Sequence, residues 1–184
     1  MIKKLAVLML VILMLGLPGL GRCSTVEDGW RAIEFRGGFS VIKKLEDFQQ
    51  YEVLAIYGLP WEWRMDSGWG VAPQFNFTAG LLRGGGTNGF IGGVGPSIVF
   101  NKANKGIEFE LGINLDASDK KNYGMQNLGS NVFFGVFVGI GYQFENSFGI
   151  GYQLQHFSNG HIFYGSSTPN PGIDNHLFLI TWFL

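Results

Sequence analysis

The chain has 184 residues, a formal net charge of −1, 29 glycines, 17 phenylalanines and only 15% charged residues. That length suits one domain, the near-neutral balance offers nucleic acid no electrostatic footprint, and the single cysteine, Cys23, excludes an internal disulfide. So much glycine and aromatic content with so little charge is unlike an ordinary secreted globular domain.

In chain order, Lys3 and Lys4 precede the uninterrupted apolar run "LAVLMLVILMLGL" (residues 5–17), and Pro18, Gly19 and Gly21 follow it. A positive start, a short apolar core and small residues after it predict a secretory signal peptide over 1–23, cut after Gly21 or Cys23. The run is too short to span a bilayer well. Arg22 stands where a lipoprotein signal needs a small residue, so Cys23 is not read as a lipid attachment site. The mature domain is 24–184.

From there the dominant period is two, which marks strands with one apolar and one polar face. Eight strands are predicted, at 30–41, 51–64, 69–83, 87–101, 105–116, 131–144, 148–159 and 175–184. In the third, Trp69, Val71, Pro73, Phe75, Phe77, Ala79 and Leu81 oppose Gly70, Ala72, Gln74, Asn76, Thr78 and Gly80. In the fifth, Ile107, Phe109, Leu111, Ile113 and Leu115 oppose Glu108, Glu110, Gly112, Asn114 and Asp116. In the sixth, Val132, Phe134, Val136, Val138, Ile140 and Tyr142 share the apolar face. The last, "NHLFLITWFL", is apolar on both faces and its inward set is open.

Connections of two kinds alternate. "MDSG", "KAN" and "ENS" are short, whereas "IKKLEDFQQ", "LDASDKKNYGMQNLGS" and "GHIFYGSSTPNPGID" are long and polar; only "GGGTN" is short in the second set. An even strand count with short turns on one side and long loops on the other predicts an all-β, eight-stranded antiparallel outer-membrane β-barrel, a multi-pass protein of the bacterial outer membrane. A water-soluble barrel with an apolar interior is the rival. Small inward residues suit the narrow lumen of eight strands, and Trp61, Trp63 and Trp69 flank a short turn where an interfacial girdle belongs. The polar-face charges Glu34, Arg36, Glu52, Glu62, Arg64, Glu108 and Glu110 are expected to plug that lumen as a paired network.

The seventh strand carries the functional signal. In "FGIGYQLQHFSNG", Phe148, Ile150, Tyr152, Leu154, His156 and Ser158 share one parity, and Gly149, Gly151, Gln153 and Gln155 share the other. If the small and polar set lines the lumen, His156 and Ser158 face lipid near the outer interface. A strand end at headgroup level tolerates a lone polar residue. A histidine beside a serine is also the base and nucleophile of acyl transfer, and a carboxylate should orient the imidazole. Asp174, at the start of the eighth strand, returns to their level by hairpin pairing.

"QHFSNG" followed by "NPGIDNHLF" resembles the active-site region of the lipid A 3-O-deacylase (PagL) family, eight-stranded outer-membrane esterases with His-x-Ser-Asn and then Asn-x-Gly-x-acid. The resemblance covers about 30 residues. It implies Ser158 as nucleophile, His156 as base, Asp174 as orienting acid, Asn159 with the neighbouring Gly160 N–H as oxyanion donors, and lipid A of lipopolysaccharide as substrate. That family usually carries Glu where this chain has Asp174, and the loop "GHIFYGSSTPN" is longer here. His161 and His176 fall outside the motif and are read as loop and strand-end residues. No metal or cofactor is expected, and a homodimer is compatible with the architecture. The alternatives are a non-catalytic small barrel and an outer-membrane acyltransferase.

Overall fold

A sheet of alternating faces has two unpaired edges until its first and last strands meet. The computed structural model shows them meeting. It describes residues 22–24, 29–42, 44–102, 105–160 and 169–184, so the expected signal segment lies outside the described residues except for 22 and 23. Eight long strands follow: β1 (Gly29–Ser40), β2 (Phe48–Gly58), β3 (Trp69–Gly84), β4 (Thr87–Lys102), β5 (Lys105–Ser118), β6 (Val132–Gln143), β7 (Phe148–Ser158) and β8 (Ile173–Phe183). Each pairs antiparallel with its sequence neighbours, and β8 pairs with β1 from Asn175↔Ser40 to Phe183↔Ala32. The result is a closed eight-stranded barrel.

The expected facing holds. Phe35, Val53, Phe77, Leu111, Val138, Ile150, Leu154, Phe178 and Ile180 are exposed on the outside, while Arg36, Glu52, Asn76, Ser97, Asn114, Gln153 and Gln155 are buried in the lumen. Strand β8, undecided by its sequence, turns Asn175, Leu177 and Thr181 inward and Phe178, Ile180 and Trp182 outward. Pairing with β1 decides it, because a one-residue slip would reverse every side chain. All five tryptophans stand at the rim that holds the C-terminus and the start of β1, as an interfacial girdle requires.

Most boundaries fall within two residues of expectation, and the two that differ by more belong to one strand. The strand expected at 51–64 is β2, ending at Gly58, plus a separate short strand Glu62–Arg64 that pairs with Val71 and Gly70 of β3. Pro60, with no N–H to donate, interrupts the ladder between them. At its other end β2 starts earlier, at Phe48, because Gln49 and Gln50 resemble loop composition although Gln50 is an inward strand position. The short outer connection is a two-residue turn, Gly85–Gly86, both with positive φ (52° and 75°), as the tightest hairpins demand.

The lumen is layered. Its middle is polar: Arg36 Nε donates to Glu52 Oε2 at 2.6 Å and Nη1 to Gln153 Oε1 at 3.0 Å, while Gln50 Nε2 reaches both Glu52 and Gln155 at 2.8 Å. Towards the termini Arg64 pairs with Glu62 at 3.0 Å, Glu34 accepts from Thr181 at 2.8 Å and Glu110 accepts from Gln74 at 3.0 Å. These side chains line a cavity of about 160 Å³. The long-loop end is apolar instead. Phe48, Leu82, Ile91, Tyr123, Leu128, Phe133, Phe157 and Ile173 form a buried cluster. Tyr123 comes from a small hairpin in the loop after β5 that folds over the barrel mouth. Burial holds its phenol above the ordinary value. This cap braces the end where the candidate site lies.

Candidate active site

Strand β7 runs towards the long-loop rim and β8 returns from it, so the last residues of one face the first residues of the other. The register makes His156 and Asp174 direct cross-strand partners. Directly opposed residues hold their Cβ atoms about 4.5–5.5 Å apart on one face, close enough for a carboxylate one carbon from its Cβ. His156 Nδ1 and Asp174 Oδ1 are 2.6 Å apart. Both side chains are partly exposed, 49% and 37%, on the outer surface of the barrel. The shorter acid therefore reaches the imidazole without a longer side chain.

Two devices hold the pair. Gly172 has φ +65° and lies against the imidazole: a Cβ there would stand 2.9 Å from His156 Cε1 and 3.2 Å from the Phe157 carbonyl oxygen. Both the backbone conformation and the space call for glycine. Lys44, from the loop after β1, donates to the carbonyls of Pro171 and Gly172, the latter at 3.2 Å, and its Nζ is 3.8 Å from Asp174 Oδ2. One cation thus ties the acid-bearing turn to a neighbouring loop.

Ser158 is two residues beyond His156 on the same outward face. Its Oγ accepts from Asn170 Nδ2 at 3.0 Å and from the Gly160 N–H at 3.1 Å, and approaches Asn170 Oδ1 at 3.3 Å. Among the described residues no hydrogen bond joins it to His156, so the structure brings His156 and Asp174 into contact and leaves Ser158 on Asn170. Asn159 is buried. Its Nδ2 donates to the carbonyls of Leu128 and Pro169 at 3.0 and 2.8 Å, and its backbone N–H donates to Asn170 Oδ1 at 3.1 Å. Both side-chain protons of Asn159 are thereby directed at backbone carbonyls. The two N–H groups aimed at Ser158 Oγ come from Gly160 and Asn170.

Asn170 and Lys44 were not assigned roles from sequence. Asn170 opens the Asn-x-Gly-x-acid pattern but by itself reads as turn chemistry in "NPG", and nothing local marks Lys44 among the lysines of its loop. His176 is not a strand-end residue, since it lies inside β8 on the lipid-facing side and bonds Tyr152. His161 lies outside the described residues. Among the described residues no group of three His, Cys, Asp or Glu side chains is placed to hold a metal ion.

Fold and rim together define a class: small eight-stranded β-barrels with an apolar outer surface that carry polar side chains, here His156, Asp174 and Ser158, on that surface at the long-loop rim rather than in the lumen. The family lipid A 3-O-deacylase (PagL) matches over residues 49–182, and the chain belongs to that family. The lipid A deacylase PagL of Pseudomonas aeruginosa is 28% identical over 131 residues, covering 65% of this chain and 71% of that protein. The crystal structure of the outer membrane enzyme PagL superposes with a TM-score of 0.69 at 22% identity, over 85% of this chain and 99% of that one. At this identity the superposition speaks for the fold.

Proposed function

We propose that the protein is an outer-membrane serine esterase that hydrolyses the 3-O-linked hydroxyacyl chain of lipid A. Family membership supports the reaction and the membrane. The observation that carries the residue assignment is the 2.6 Å contact of His156 Nδ1 with Asp174 on the lipid-facing surface, with Ser158 two residues along the same face. An apolar groove leads away from that contact over Val136, Val138, Leu154 and Leu111, and holds an acyl chain without removing it from the leaflet.

In this reading Asp174 fixes the imidazole so that Nε2 is the basic nitrogen. A lipid ester seated at Ser158 turns the hydroxyl from Asn170 towards that nitrogen; catalytic hydrogen bonds are often long before substrate binds. Oγ attacks the carbonyl carbon as Nε2 takes its proton. The tetrahedral oxyanion is stabilised by N–H donors at the serine, with Gly160 N–H and Asn170 Nδ2 best placed. Collapse breaks the bond to the sugar 3-oxygen, which leaves with the proton from His156. Water then attacks the acyl-serine by the same base and frees the fatty acid. Asn159 contributes by anchoring the Ser158 turn to Leu128 and Pro169.

Mass spectrometry of lipid A from cells expressing the protein tests the function. Loss of one hydroxyacyl group in the parent and none with Ser158→Ala is expected. An unchanged lipid A in both favours the non-catalytic barrel, and a gain in acyl mass favours the acyltransferase.

A further inference from the structure

The lumen holds a contact that the reaction above does not use. Side chains alternate across a strand, so the inward neighbours of His156 and Asp174 are Gln155 and Asn175. These two are themselves directly opposed between β7 and β8, and both are buried. One side chain binds them both. Gln50 of β2 donates from Nε2 to Gln155 Oε1 at 2.8 Å, and its Oε1 accepts from Asn175 Nδ2 at 2.5 Å. The other Nε2 proton goes to Glu52 Oε2 at 2.8 Å, an oxygen that also accepts from Arg36. Both amide protons of Gln50 are therefore used, and the bracket is tied to the middle of the polar plug.

The surroundings of position 50 would suit an apolar side chain. Leu82 lies opposite it across β2 and β3, and Phe48 and Leu82 both belong to the apolar cap. A bonded amide differs from a packed hydrocarbon in direction: hydrogen bonds fix an angle, whereas apolar contact leaves it free. The angle matters at this level of the barrel. After His156↔Asp174 the ladder of β7 and β8 has one more rung, Phe157↔Ile173. A ladder end with few backbone bonds opens more readily than its middle. On the outside Lys44 and Gly172 hold the acid-bearing turn; on the inside Gln50 holds the rung that carries the acid and the imidazole.

We propose that Gln50 is a positioning residue for the reaction. From the lumen it sets how β7 and β8 present His156 and Asp174 to the lipid, acting through the barrel wall by way of Gln155 and Asn175. The inference rests on the lipid A deacylase reading and gives part of the lumenal network a role in turnover.

Deacylation of lipid A in mixed micelles by the full-length protein tests it. Gln50→Met keeps the length of the side chain and removes its donors and acceptor. Its kcat should fall about tenfold with KM within about twofold, less than the ~10²-fold that a full 1 Å misplacement can cost. In combination with Asp174→Ala, Gln50→Met should cost little beyond Asp174→Ala alone, because the pair through which Gln50 acts is already broken. Gln74→Met removes another lumenal amide, one that donates to Glu110 towards the termini, and should keep the parent kcat. Gln155→Met removes only the β7 half of the bracket; it should lower kcat in the same way and serves if Gln50→Met does not assemble. Parent-like kcat in the bracket variants, a double variant whose losses multiply in full, or an equal loss in Gln74→Met overturns the positioning role alone. A parent that leaves lipid A intact overturns the deacylase reading and the role with it.

Discussion

His156 and Asp174 are 18 residues apart in the chain and directly opposed across two strands, with Nδ1 and Oδ1 2.6 Å apart on the outer surface of the barrel. In the proposed reading, that register lets an aspartate take the place where the family resemblance leads one to expect the longer acid. Strands that face each other residue for residue bring a one-carbon carboxylate to the imidazole. A glutamate at position 174 must fold back to make the same bond. Asp174→Glu is therefore expected to keep activity but lower it, by about tenfold or less. Asp174→Ala should lose roughly 10²–10⁴-fold, extrapolating from soluble triads. Steady-state deacylation of purified lipid A by each variant measures both.

Gly172 gives a sharper geometric prediction. A methyl at this position stands 2.9 Å from His156 Cε1, and the backbone conformation at φ +65° already disfavours it. Gly172→Ala should displace the imidazole and cost at least about tenfold in kcat, since a misplacement near 1 Å can cost 10²-fold. The barrel should remain intact, as judged by its resistance to unfolding in mild detergent. Full activity in Gly172→Ala would contradict the role assigned to this contact.

Asn170 holds Ser158 and the Asn159 backbone at once. Asn170→Asp preserves the acceptor and removes the Nδ2 donor. If Nδ2 stabilises the oxyanion, kcat should drop by about 10²–10³-fold with little change in KM, the size seen when one oxyanion donor is lost. Equal losses in binding and turnover would instead indicate a loop that no longer folds.

The facing of β7 is testable by chemistry. Cysteine at Leu154 should react with a membrane-soluble thiol reagent, because that side chain is 41% exposed on the outside. Cysteine at Gln153, 1% exposed in the lumen, should resist the same reagent. The reversed pattern would turn His156 and Ser158 away from lipid.

The apolar cap predicts where stability resides. Tyr123 is fully buried, packs on Phe48 at 5.5 Å and hydrogen-bonds Ser118 Oγ at 2.7 Å. Tyr123→Ala should destabilise the barrel by about 3–5 kcal/mol, the usual cost of deleting a large buried aromatic. Thermal unfolding in detergent reads this directly. A shift no larger than that of a surface substitution would mean the hairpin does not brace the rim.

Alternation determined most of this protein before any tertiary information. The outward faces of β3, β5, β6 and β7 follow from period two because a strand has only two faces, and one wrong residue would invert them all. The signal at His156 and Ser158 was legible for the same reason: polar residues on an apolar parity are visible one strand at a time. Three features were not legible, because each depends on a partner far away in the chain. The inward set of β8 waits on its pairing with β1, since both of its faces are apolar. The contacts of Lys44 with Pro171 and Gly172, and of Asn159 with Leu128, join loops that no local pattern connects. The His176–Tyr152 pair arises only when β7 and β8 fix their register. Local sequence states which face a side chain takes; only closure of the barrel decides which side chains share that face at the same height, and hydrogen bonds of the kind a site needs form at that height or not at all.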